Sequence, residues 1–61
     1  MEAKLLKRFD AAKEILFTKG ILVNSDEGTL IRTGFSLVWY DHQLNKAVHQ
    51  DEGGRYYVKD A

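Results

Sequence analysis

Residues 29–41 read TLIRTGFSLVWYD, and how this stretch is divided decides the fold. It holds the densest run of strand-forming residues and the only Trp. With a period of two, Ile31, Phe35, Leu37 and Trp39 fall on one side, while Arg32, Ser36 and Tyr40 fall on the other. Such alternation marks a half-buried strand. Gly34 interrupts it, and a bulge or sharp bend there lets a long strand curl around a covering helix.

The covering helix is residues 2–19. Leu5, Phe9, Ala12 and Leu16 recur at helical spacing and stack on one face. Leu6 and Ile15 flank that stripe. Lys7, Asp10, Glu14 and Thr18 lie on or near the far side. Lys19 suits the last turn, and Gly20 stands where a left-handed residue ends a helix. After it, ILVN at 21–24 reads as a short strand. SDEG supplies turn residues, so ILVN–SDEG–TLIR reads as a hairpin.

Beyond Asp41 two readings compete. In one, HQLN is a turn, 46–50 a strand, DEGG a tight turn, and 55–59 the last strand. In the other, Ser36 caps a helix to about Gln50, which Leu37, Tyr40, Leu44, Ala47 and Val48 fit. The aromatic and β-branched residues from Phe35 to Tyr40 favour strands. The DEG at 51–53 also echoes the DEG at 26–28.

A local resemblance points the same way. Tyr40-Asp41, then Asp51, Gly54, Tyr56 and Tyr57 resemble the hairpin repeats of the Rhs/YD proteins over about a quarter of the chain. The motif occurs once, where that family has tandem copies. Its early Gly is replaced by the segment Gln43-Leu44-Asn45. The resemblance implies strand–turn–strand and not family membership.

The expected architecture is therefore α+β. One N-terminal amphipathic helix packs on an antiparallel sheet of three or four strands, near 21–24, 29–41, 46–50 and 55–59, in one domain spanning 1–61, with Leu5, Phe9, Ala12 and Leu16 set against Ile31, Phe35, Leu37 and Trp39. The variant with a second helix at about 36–50 is the alternative.

With 61 residues and no Cys, neither disulfides nor thiolate metal sites can staple the domain. Good packing or self-association must serve instead. Nine basic and nine acidic side chains cancel, which argues against strong phosphate binding. Residues 1–20 carry five Lys or Arg against three Asp or Glu, and residues 21–61 four against six. No apolar run approaches bilayer-spanning length, and no signal-peptide pattern is present. A cytoplasmic protein with no membrane partner is expected.

Asp41, His42, His49 and Asp51 have metal-ligand chemistry, but their spacing matches no zinc or iron signature. They read as polar turn and edge residues. Ser25, Ser36 and the two His form no nucleophile–base motif, and no phosphate-binding Gly loop is present. No enzyme activity, cofactor or metal is expected. A sheet with one helical layer leaves one face open, with Val38, Tyr40 and a C-terminal Tyr on it. This points to a non-enzymatic protein–protein interaction module, an accessory regulator or inhibitor that also pairs with itself as a homodimer. The alternative is a sheet-based binder of single-stranded nucleic acid, with bases stacked by Arg32, Tyr40, Arg55 and Tyr57. The candidate binding residues are thus Arg32, Val38, Tyr40, Arg55 and Tyr57.

Overall fold

The computed structural model describes all residues, Met1–Ala61. Its elements are α1 (Glu2–Lys19), β1 (Gly28–Thr33), β2 (Ser36–Asp41), β3 (Lys46–Gln50) and β4 (Tyr56–Asp60). The strands form one antiparallel meander in the order β1-β2-β3-β4. The fold is α+β, with one helix on a four-stranded sheet, as expected. The shortest dimension is 17 Å, which leaves room for two layers and no third. No helix is long and apolar enough to cross a membrane.

Helix α1 buries Leu5, Phe9, Ala12 and Leu16, the stripe its spacing predicts. It ends at Gly20, whose N–H donates to the Leu16 carbonyl at 2.7 Å. The sheet answers with Leu30, Leu37, Trp39 and Val48. Leu30, Trp39, Val48 and Val58 lie opposite one another in sequence of strands, a single row running beneath the helix.

The stretch 29–41 is not one bent strand. Gly34, at φ 63°, and Phe35 form a two-residue turn between Thr33 and Ser36, which face each other. Positive φ at the first central residue alone is the pattern of a type II′ hairpin turn, for which Gly is suited. The reversal changes which residues share a face. Partners across the turn pair even with odd positions, such as Leu30 with Trp39. Leu30 therefore takes the core place expected for Ile31, which is 37% exposed on the other face. Phe35 stands at the tip, 83% exposed.

One further expectation is corrected, and the alternative reading falls away. Residues 21–24 form no strand, only an isolated bridge between Asn24 and Thr29. The Ser25 turn starts at once, so the segment pairs too briefly to extend. It still touches the β1 edge, where Leu30 N–H donates to the Val23 carbonyl and Ser25 N–H to the Gly28 carbonyl. The helix at 36–50 does not form either. Val38, Trp39 and Tyr40 pair with β1 on one side and β3 on the other. The C-terminal strand–turn–strand is present, with Tyr56 in place of Arg55 as the first residue of β4.

Candidate functional site: the open face of the sheet

The register builds the face turned away from α1 in two long rows. Ile31, Val38, His49 and Tyr57 lie side by side across the four strands. Beside them run Thr29, Tyr40, Ala47 and Lys59. Alternation along each strand fixes the set, because the neighbours of these residues point toward the helix.

Contacts within the face are specific. The rings of His49 and Tyr57 stack, with centroids 5.3 Å apart and planes 6° from parallel. The Lys59 ammonium sits 5.6 Å from the Tyr57 ring centroid, within cation–π range. Burial, followed by the charge of Lys59, pushes the His49 pKa down, so the imidazole is held neutral in a largely apolar row. Thr29 Oγ1 and His42 Nε2 are 3.0 Å apart beside this surface. Lys59 is the only Lys, Arg, Asp or Glu in the two rows.

The face is held by a polar hub on its reverse side. Asp41 is fully buried and accepts hydrogen bonds from Arg8 Nη1 at 3.0 Å, Trp39 Nε1 at 3.2 Å and Leu44 N–H at 2.9 Å. Arg8 also donates to Gln43 Oε1 at 2.8 Å. Burial raises the Asp41 pKa, but Leu44, Trp39 and Arg8 together outweigh it and hold the carboxyl below its usual range. The hub ties α1 to the β2–β3 loop and orients the indole of Trp39. Gly28 completes this corner, since a Cβ there would collide with the Trp39 indole and the Tyr40 carbonyl.

Of the candidate binding residues, Val38, Tyr40 and Tyr57 come together on the open face. The two arginines do not join them. Arg32 pairs with Leu37, a core residue, so it lies on the helix side, where its guanidinium carbon is 5.9 Å from the Phe17 ring centroid. This corrects the expectation that Arg32 and Tyr40 share a face, and the reason is the hairpin reversal at Gly34. Arg55 lies in the β3–β4 turn, 3.4 Å from Asp51. Ile31 and His49 belong to the face but were not among the candidates. Ile31 would have been found by dividing the strand at Gly34, and His49 by fixing the β2–β3 register.

The metal-ligand types stay apart. Asp41 is taken by Arg8 and Trp39, His42 by Thr29, His49 by Tyr57, and Asp51 by its own turn, where it accepts from Gly53 and Arg55 N–H. No three His, Cys, Asp or Glu gather in one place. No protein-family model, curated protein or solved structure matches the chain.

Proposed function

We propose that the chain is a non-enzymatic protein–protein interaction module, a cytoplasmic accessory regulator that binds another protein through the open face and acts as a homodimer. One observation carries this reading: Ile31, Val38, Tyr40, His49 and Tyr57 form a continuous, nearly uncharged surface that no second layer covers. Isolated exposed apolar residues are ordinary on a protein surface, but a contiguous set flanked by polar residues favours an interface. Tyr at its centre suits such a role, giving contact area with a polar tip. The lack of Cys suits a reducing compartment.

Single-stranded nucleic acid is the weaker partner. Stacking needs a basic groove along the backbone, and the open face offers Lys59 while both candidate arginines lie elsewhere. The test is affinity retention from the native cell with wild-type chain, a Val38→Lys/Tyr40→Ala variant and a Lys7→Glu variant on the helix. A protein retained by wild type and Lys7→Glu, and lost with the open-face variant, is expected. Equal retention by all three would refute the open face as the binding surface. Micromolar, salt-sensitive binding of mixed single-stranded oligonucleotides, weakened by Tyr40→Ala, would install the nucleic-acid reading instead.

A further inference from the structure

The two edges of the sheet differ. The β1 edge is partly masked by the chain itself, through the bonds from Leu30 to Val23 and from Ser25 to Gly28. The β4 edge has no such cover: β4 is the outer strand of the sheet, and no backbone group outside β3 bonds to it. Which of its groups are free follows from the ladder. Asp51 N–H donates to the Arg55 carbonyl and Ala61 N–H to the Asn45 carbonyl, at the two ends of the β3–β4 register. Hydrogen-bonded and non-hydrogen-bonded pairs alternate in an antiparallel ladder. Tyr57 and Lys59 therefore bond inward to β3, and Tyr56, Val58 and Asp60 turn their N–H and C=O groups outward.

We infer that a second copy of this chain fills that edge, its β4 antiparallel to the first with Val58 on the two-fold axis. The inference rests on the homodimer proposed above and gives it a geometry. In this register each of Tyr56, Val58 and Asp60 faces a residue of the second copy whose backbone is equally free. Val58 exchanges N–H and C=O with its own counterpart, and Tyr56 does so with Asp60. The side chains agree with the backbone. On the open face Lys59 stands opposite the second copy's Tyr57, in a non-hydrogen-bonded pair where side chains approach closely. On the helix side Tyr56 meets the second copy's Asp60, a hydroxyl beside a carboxylate.

Registers centred on Tyr57, Lys59 or Asp60 are poorer. Centring on Tyr57 sets Arg55 against Lys59. Centring on Lys59 sets two ammonium groups face to face, and centring on Asp60 two carboxylates. Like charges directly opposite are destabilising. The strand YYVKD is thus self-complementary about its middle residue, which favours its own copy over an arbitrary strand. The same axis brings together the grooves that Met1, Leu5, Leu44 and Val58 line beside this edge on the helix side. The two-fold closes on itself, so pairing stops at two, and both open faces merge into one continuous surface.

The test combines sedimentation equilibrium with amide hydrogen exchange on the full chain. At concentrations where dimer forms, the Tyr56, Val58 and Asp60 amides become protected, and dilution to monomer exposes them. N-methylation of the Val58 amide by chemical synthesis removes the central donor and keeps the side chain. It weakens dimerisation by about a hundredfold, as expected for losing the two central backbone bonds, while circular dichroism and Trp39 fluorescence stay native. A monomer at all concentrations up to millimolar overturns both the homodimer and this edge. A dimer in which those three amides exchange as fast as in the monomer overturns the edge alone. If the N-methylated chain does not fold, the exchange measurement on wild type still decides.

Discussion

Asp41 is the residue on which helix, loop and sheet converge. An ionised carboxylate inside a small protein is costly unless every oxygen has a donor. Here Arg8, Trp39 and Leu44 supply those donors, and no buried side-chain nitrogen or oxygen lacks a partner. Removing the carboxylate would strand three groups at once. Asp41→Ala should therefore cost about 3–5 kcal/mol, the usual range for breaking a buried ion pair from one side. In a domain with 11 of 61 residues buried, that is enough to populate the unfolded state. Urea titration followed by Trp39 fluorescence measures it, and a loss under about 1 kcal/mol would show that the hub is not what joins α1 to the β2–β3 loop.

At the scale of elements, the β1–β2 hairpin decides which residues meet. Its turn needs a left-handed residue at position 34, where a Cβ costs roughly 1–2 kcal/mol. Gly34→Ala should destabilise the chain by about that amount, through conformation alone, since nothing lies within 4 Å of the added carbon. If urea unfolding shows no loss, the turn is not of this type. The same turn marks where the sequence stops being readable. Helix α1 is legible because Leu5, Phe9, Ala12 and Leu16 report a period that no other element must confirm. The strand at 36–41 is legible because Val38, Trp39 and Tyr40 crowd there, and the one at 46–50 because the DEG at 51–53 repeats the turn signal at 26–28. Local pattern does not tell whether Gly34 bends a strand or reverses it, because both use a glycine at positive φ. Choosing reversal moves Ile31 out of the core, brings Leu30 in, and sends Arg32 to the helix side. Asp41 was hidden for a related reason. Its partner Arg8 lies 33 residues away, and no short-range spacing announces that pair. The open face was legible in outline, since Val38 and Tyr40 follow from alternation within their strand, while the choice between Tyr56 and Tyr57 waited on the β3–β4 register. Its full membership depends on a register that only the assembled sheet provides.

For the whole molecule, the arrangement of titratable groups sets how stability responds to acid. His49 is held below its ordinary pKa of 6.5, by burial first and by Lys59 second. Above 6.5 the group is neutral in both folded and unfolded chains and its contribution to stability is complete. As the pH falls through 6.5 the unfolded chain takes up a proton that the folded chain resists, so stability declines. The decline ends once the pH passes the folded pKa and both states are protonated. Asp41 acts with the same sign lower on the scale. Burial raises its pKa, but its three donors more than reverse this, so its stabilising effect is complete above 3.8 and drains away below it. Asp60 adds a decrement of the same sign through its pairing with Lys46, screened because both groups meet solvent. The melting temperature should therefore step down below 6.5 and fall again below 3.8. His49→Phe separates the two steps. It keeps an aromatic ring against Tyr57 and removes the titration, so the upper step should vanish while the acid limb remains. Thermal melts across this range at fixed protein concentration and ionic strength measure both. An upper step that survives in His49→Phe would mean that the neutral imidazole on the open face does not govern it.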